Sequence, residues 1–363
     1  MKKILVTGAG GFVGSRVMQQ WAGRYELCAF PKGFLAAAGE DAVRQAIFQQ
    51  RPDVILHTAA ISDTGYCADH PEQAYRANVE LPVWLARAAA ETDAKLVAFS
   101  SDQVYAGVER SGPLPETIPL QPANVYGQGK LEMEQQVQAL CPSAVLLRAT
   151  WMYDLPGYRL PIRGNLLLNL LRAAQRGESL RFSVQDFRGI TYVRQAVALL
   201  EPALTLPGGV YNFGSENAEN MVLTARQFAK TLGITVDLQE ADWARNLAMD
   251  CSKLRAQGIV FDTTQTGLTR CLRDYGLRRP QRIKFFRIAQ KTEKSTKKAG
   301  DSVCCQPNQA GQIMRKSCFF ACLPEKSSLI GCSISSCKKS YLFYILSTFC
   351  YNVFAFLQSI RTA

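Results

Sequence analysis

Tyr126 and Lys130 stand four residues apart in NVYGQGK (124–130), and Ser101 closes the apolar run KLVAFSS (95–101). On a helix that spacing puts the phenol and the ammonium on one face, a turn apart. A phenol with a pKa of about 10 is a poor acid–base catalyst at neutral pH, and a neighbouring ammonium lowers that pKa by favouring the phenolate. If a serine hydroxyl held the substrate oxygen, the three groups would serve a carbonyl–alcohol interconversion, given a hydride partner alongside. The same spacing also fits a plain helical surface pair. What precedes it in the chain decides between the two.

TGAGGFVG (7–14) places Gly8, Gly11 and Gly14 where an apolar strand, KKILV, gives way to an amphipathic helix. Glycines there let backbone approach a pyrophosphate closely, and the helix start offers unpaired N–H groups and a positive dipole end. A nicotinamide dinucleotide is therefore expected. Its adenine end is read by the residues after the second strand, where an acid would mark NAD. Here the sequence is FPKG, with Lys32 in that place. Lys32 would meet the 2′-phosphate of NADP or face solvent, which favours NADP slightly over NAD.

Strands are expected at KKILV, 25–30, from Asp53, at 95–101 and at 144–150. Helices are expected over 12–21, 40–50, from about Pro71 past Asn78 to Glu91, and over 126–140. Strands apolar on both faces that alternate with helices predict an α/β fold with a Rossmann-type, doubly wound parallel sheet. The alternation loosens after Trp151. The expected division is a dinucleotide-binding domain over 1–160 and a smaller substrate-binding lobe over 161–280, partly interleaved with the sheet. Gly127 and Gly129 fall in one first helical turn and predict a weak start, at about 1 kcal/mol each against alanine.

The net charge of +12 is uneven: residues 281–363 hold 13 Lys and Arg against 3 Asp and Glu. The nearly neutral remainder carries no electrostatic footprint for nucleic acid. Five of the 12 cysteines (Cys28, Cys67, Cys141, Cys251 and Cys271) are scattered through the first 280 residues, as in a reducing compartment. MKKILVTGAG makes a poor signal peptide, so a cytoplasmic location is expected. The basic, Cys-rich tail over 281–363 has no periodicity and is expected to be disordered or not native. Its uncharged run Tyr341–Leu357 reaches the lower limit of a membrane span, so membrane contact is expected only if the tail is an anchor. Cys318, Cys322, Cys332 and Cys337 are irregularly spaced for zinc, and no metal site is expected.

TGAGGFVG, HTAA (57–60), RANVELP (76–82), SSDQVYAG (100–107), NVYGQGK and LLRATWMY (146–153) together resemble the extended short-chain dehydrogenase/reductase family. Within it, VQDFRGITYV (184–193) and NLAMDCSKLRAQGI (246–259) look most like the dTDP-4-dehydrorhamnose reductase group of sugar-nucleotide reductases. The resemblance covers about residues 1–278. It implies that Ser101, Tyr126 and Lys130 are catalytic and that Asn78 positions Lys130 through water. It further implies that Gly8, Gly11, Phe12, Val13 and Gly14 surround the pyrophosphate and that Ala59 and Ala60 line the adenosine side. Lys130 would also hold the nicotinamide ribose, with Tyr126 beside it. Trp151 and Tyr153 would touch the sugar or its nucleotide, and Arg188 would contact phosphate or bridge the two lobes.

The implied reaction is NAD(P)H-dependent reduction of a 4-keto-6-deoxy sugar nucleotide. Two departures are visible: Gly129 where many relatives carry Ser or Thr, and Gln103 where a Tyr or Phe is common. Asp102–Gln103 also lacks the second acid of the 4,6-dehydratases, and a glutamine cannot serve as a base. An NAD-dependent epimerase and a non-catalytic NAD(P)-binding regulator remain open, as does a homodimer.

Overall fold

The computed structural model describes residues 1–277; the expectations for the tail lie outside them. The first half alternates strand and helix. It runs β1 (Lys3–Thr7), α1 (Gly14–Gln20), β2 (Glu26–Cys28), α2 (Phe34–Ala37), α3 (Glu40–Gln50), β3 (Val54–His57), α4 (Thr64–Asp69) and α5 (Pro71–Tyr75). A π-helical turn (Arg76–Glu80) then leads into α6 (Leu81–Thr92), β4 (Lys95–Ser101), a 3₁₀ turn (Asp102–Tyr105), α7 (Val125–Leu140) and β5 (Val145–Ala149). The single helix expected from Pro71 to Glu91 is thus interrupted by a π turn, which Asn78 occupies.

The second half holds β6 (Trp151–Tyr153), α8 (Leu166–Arg176), β7 (Ser179–Phe182), β8 (Gln185–Arg188), β9 (Ile190–Tyr192) and α9 (Val193–Ala203). It continues with β10 (Gly209–Phe213), α10 (Met221–Leu232), β11 (Asp237–Glu240), β12 (Ala244–Leu247), α11 (Ser252–Arg255) and α12 (Thr264–Asp274). One six-stranded sheet runs β10-β5-β4-β3-β1-β2, and every neighbouring pair is parallel. All its C-terminal strand ends therefore lie along one edge. The order reverses between β1 and β3, and open α/β sheets bind ligands in the crevice at that point.

Side-chain alternation explains why both faces are covered. Val97 and Phe99 of β4 and Val145 and Leu147 of β5 turn toward α1 and α9, where Val17 and Val197 meet them. Leu96, Ala98 and Leu146 turn the other way, against Ile47 of α3, Leu85 of α6 and Met133 of α7. The smaller lobe is built on Tyr153, Leu167, Leu170, Tyr192, Phe228 and Leu268. Its short parallel pairs are β6 with β9, β7 with β11, and β8 with β12.

Arg16 of α1 joins the sheet to this lobe. Its Nε donates to Asp154 Oδ2 at 2.7 Å, with the two side chains 1% and 0% exposed. Tyr275 OH and the Leu155 N–H, each 2.9 Å away, donate to the other carboxylate oxygen. Removing one partner of such a pair strands a buried charge. Arg16→Met is expected to lower unfolding free energy by about 3–5 kcal/mol, and Arg16→Met/Asp154→Leu to recover most of that loss. Urea unfolding of the three proteins checks it.

Candidate active site

Ser101 ends β4 in extended conformation (φ −148, ψ 151) and caps the 3₁₀ turn that follows. Its hydroxyl accepts from the Gln103 N–H at 3.2 Å and lies 3.3 Å from Asp102 Oδ1. Asn124, also extended, caps α7 by accepting the Gly127 N–H at 2.8 Å. Tyr126 and Lys130 follow on the buried side of α7, 7% and 1% exposed. Lys130 Nζ donates to the Phe99 carbonyl of β4 at 3.0 Å and sits 5.9 Å from the Tyr126 ring centroid. Ser101 is close enough to Tyr126 for its hydroxyl to act on the phenol's proton affinity. Ser101, Tyr126 and Lys130 therefore meet at the C-terminal edge of the sheet.

Burial governs the electrostatics here. It pushes the Tyr126 phenol well above its ordinary pKa, with Asp102 and Cys67 adding to the rise and Ser101 and Arg163 opposing it. Burial also pushes Lys130 down to about 8, against the pull of Glu134 and Cys67. The expected lowering of the phenol's pKa by the neighbouring ammonium is not seen, because burial of the phenol is the largest influence and raises it. At neutral pH the pair is a protonated phenol beside a mainly protonated amine.

The glycine loop divides by function. Gly8 has φ +71, and a Cβ there would lie 2.8 Å from the Ala59 N. A Cβ on Gly14 would lie 2.2 Å from the Gly8 carbonyl oxygen. Both glycines are thus required by the packing of the loop itself. Gly10 has nothing within 4 Å of a built Cβ, and Gly11 only the Gly8 oxygen at 3.1 Å. This exposed pair, with half-buried Phe12 and Val13, forms an open cradle before α1, and a pyrophosphate fits it. Ala59 and Ala60 follow β3 beside the cradle, and Lys32 is exposed in the turn after β2.

Several expected roles change. Asn78 is 1% exposed: its Oδ1 accepts the Ile61 N–H at 3.1 Å, and its Nδ2 donates to the Ile61 carbonyl at 2.8 Å and to Cys67 Sγ at 3.9 Å. It pins the loop after β3; the expected link to Lys130 runs through water and needs no direct contact. Tyr153 is 0% exposed and packs on Tyr192 and Phe228 in the lobe core, so it offers no surface to a sugar. Trp151 is half-buried, with the Arg188 guanidinium 5.2 Å over its ring. Of the two readings of Arg188, the bridge is the one present: its Nη2 donates to Asp102 Oδ2 at 2.6 Å, tying β8 to the turn after Ser101.

Gly127 does not merely weaken α7. A Cβ there would lie 2.3 Å from the Gln103 carbonyl oxygen, so the glycine admits α7 against the 3₁₀ turn. Gly129 faces only Val79 Cγ2, at 3.5 Å.

Other residues at the site were not foreseen. Glu134 lies one turn beyond Lys130, a spacing that marks it for the same face. Arg163 donates to Ser62 Oγ at 2.6 Å and acts on Tyr126 from the loop before α8; nothing in the local sequence points to it. His57 ends β3 with its Nδ1 2.7 Å from Thr7 Oγ1 and its Nε2 buried without a partner. Among the described residues, no group of three or more His, Cys, Asp or Glu is placed to hold a metal. No helix among them is long and apolar enough to cross a membrane.

Residues 1–276 match the family described as the RmlD substrate binding domain. The chain belongs to that family. It is 36% identical over 153 residues to a dTDP-4-dehydrorhamnose reductase of Mycolicibacterium smegmatis, a match covering 42% of this chain and 46% of the relative. The chain therefore spans about half of that relative's length. A dTDP-4-dehydrorhamnose reductase of Aggregatibacter actinomycetemcomitans is 29% identical over 225 residues, covering 60% of this chain and 74% of its own. Among solved structures, the Bacillus anthracis dTDP-4-dehydrorhamnose reductase in complex with NADP superposes with a TM-score of 0.68 at 23% identity. That match covers 76% of this chain and 99% of the other. A Thermus thermophilus UDP-glucose 4-epimerase complexed with NAD gives 0.61 at 21% identity, over 74% and 98%. At these identities the two structures speak to the fold.

The two glycines of α7 are separable by experiment. Gly129→Ala is expected to stabilise the protein by up to about 1 kcal/mol, whereas Gly127→Ala is expected to destabilise it through contact with Gln103; thermal midpoints read both. Burial, with Lys130 nearby, lowers the His57 pKa from 6.5 to about 3. The unfolded chain thus takes up a proton that the folded chain refuses. Stability present above pH 6.5 should fall with pH toward 3, by up to about 1.4 kcal/mol per pH unit. Urea unfolding of His57→Asn at several pH values in that window should show a flatter decline than wild type.

Proposed function

We propose that the protein reduces the 4-keto group of a 4-keto-6-deoxy sugar nucleotide, with NADPH or NADH as the reductant. The observation that carries this reading is the buried Tyr126 phenol beside the Ser101 hydroxyl, at the sheet edge that also carries the glycine cradle. Reduction of a carbonyl needs a proton donor at the oxygen that becomes the alcohol. A phenol whose pKa burial has raised is in the donating state at neutral pH. The family membership and the named activities of the relatives support the same substrate class.

When bound, the dinucleotide supplies the hydride. Gly10, Gly11, Phe12 and Val13 would hold its pyrophosphate, and Ala59 and Ala60 would flank the adenosine. Lys32 would reach a 2′-phosphate, and Lys130 would hold the nicotinamide ribose. Ser101 would bind the carbonyl oxygen and orient it, while Tyr126 would release its proton to that oxygen as negative charge develops. Residues 1–160 would thus serve the dinucleotide and 161–280 the sugar nucleotide, with Trp151 at the junction.

The test is NAD(P)H oxidation with a panel of 4-keto-6-deoxy sugar nucleotides, the product identified and dinucleotide Kd measured for each variant. Tyr126→Phe keeps the ring and should retain cofactor affinity while kcat falls by about 10²–10⁴-fold. Ser101→Ala should slow turnover with little effect on dinucleotide affinity. Lys130→Met should lose both. Gly11→Val, which fills the cradle, should weaken dinucleotide binding. Wild-type turnover of a confirmed substrate by Tyr126→Phe would remove Tyr126 as the proton donor.

A further inference from the structure

Beneath Ser101 and Lys130 lies a buried polar network that the reaction above does not use. Glu134 is 3% exposed. Its Oε1 accepts from the Ser100 hydroxyl at 2.5 Å and from Arg148 Nε at 3.0 Å, and its Oε2 accepts from Arg148 Nη2 at 2.7 Å. Arg148 of β5, also 3% exposed, extends Nη1 to the Tyr105 hydroxyl at 2.8 Å. Tyr105 OH in turn donates to Asn212 Oδ1 of β10 at 2.8 Å.

The network touches each element that carries a reacting group. Ser100 adjoins Ser101 at the end of β4, Glu134 lies one turn from Lys130 on α7, and Tyr105 closes the 3₁₀ turn that Ser101 caps. Two buried charges are costly, and apolar residues of similar size would hold β5 against α7 at least as stably. What such residues could not do is fix the strand end to the helix by directional bonds or present a negative charge toward Lys130.

We propose that Glu134 is a positioning residue for the reaction assigned to this site. It ties the strand end bearing Ser101 to the helix bearing Tyr126 and Lys130, and places a carboxylate one turn from Lys130 on α7. The inference rests on the functional reading above. Lys130 meets few other charges: His57 of β3 is neutral, Cys67 of α4 is held as a thiol by burial, Tyr126 is a protonated phenol, and β4 offers only the Phe99 carbonyl. Burial pushes Lys130 toward the neutral amine, and the Glu134 charge opposes it. Without it the ammonium should lose its proton at a lower pH, and with it the hold on the nicotinamide ribose.

The experiment compares the wild-type full chain with Glu134→Gln, with Ser100→Ala and with the apolar pair Glu134→Met/Arg148→Met. Thermal midpoint, kcat against pH and NADPH Kd against pH are measured for each. Glu134→Gln strands Arg148 and should be markedly less stable, whereas the apolar pair should regain most of the lost midpoint. Despite that recovery, its kcat should stay low, by up to about 10²-fold, the scale that a displacement of about 1 Å can carry. In Glu134→Gln, where Arg148 keeps its charge, the alkaline fall in kcat and in NADPH affinity should move to lower pH, whereas the apolar pair loses both charges together and should move it less. Ser100→Ala keeps the ion pair, so it should lower kcat without moving the alkaline limb.

An apolar pair with wild-type kcat, together with a wild-type alkaline limb in Glu134→Gln, would make the network purely structural and overturn the proposal. If the wild type binds NADPH but reduces none of the keto-sugar nucleotides, the functional reading fails. The pH dependence of NADPH affinity in Glu134→Gln then decides the positioning role by itself, an unmoved limb overturning it and a limb at lower pH supporting it. A wild type that binds neither NADPH nor NADH sinks both.

Discussion

The site is organised around one unfavourable placement, a lysine 1% exposed between a parallel sheet and its covering helix. An ammonium there has lost its water, and burial drives it toward the neutral amine. Two features oppose that outcome. The Phe99 carbonyl accepts from Nζ at 3.0 Å, and Glu134 stands one turn along α7. A second buried charge then needs its own partner, and Arg148 supplies a two-pronged bond from the adjacent strand. Arg148 draws in Tyr105, and Tyr105 draws in Asn212. A single buried lysine thus accounts for a run of buried polar groups crossing three neighbouring strands.

Much of this was legible in the sequence because parallel strands covered on both faces write themselves as unbroken apolar runs. KKILV, KLVAFSS and AVLLRAT fall on β1, β4 and β5, and NVYGQGK falls on the start of α7. Contacts between residues remote in sequence were not legible. Gly127 reads as a helix breaker until the Gln103 carbonyl is found where its Cβ would be. Tyr153 reads as a sugar-facing aromatic until Tyr192 and Phe228 enclose it. The strands β8, β11 and β12 carry polar residues such as QDFR, DLQE and ARNL, and exist as strands because a partner pairs with them, not by apolar pattern.

The π turn at Arg76–Glu80 belongs to the same class. RANVE has nothing in its composition to forbid an α-helix, and the sequence predicts one straight through it. In the fold, Asn78 within that turn clamps both polar groups of the Ile61 backbone. Such single-turn insertions recur at functional sites because they re-aim a side chain without ending the helix. Here the re-aimed side chain holds the loop after β3, whose neighbours Ala59 and Ala60 border the glycine cradle.

Arg16 shows why the cradle and the smaller lobe belong to one device. It sits two residues beyond Gly14, and its guanidinium lies 4.2 Å over the Phe12 ring while donating to the Phe12 carbonyl at 2.6 Å. The same guanidinium reaches the Pro161 carbonyl at 3.0 Å and Asp154 at 2.7 Å, at the two ends of the segment that leads into α8. A movement of that segment cannot leave Phe12 unaffected, since one rigid planar group bonds to both. Arg163, which follows Pro161 by two residues, is also the cation that acts on Tyr126 from the lobe side. The glycine loop before α1 and the segment that leads into α8 are thus joined through a single buried arginine.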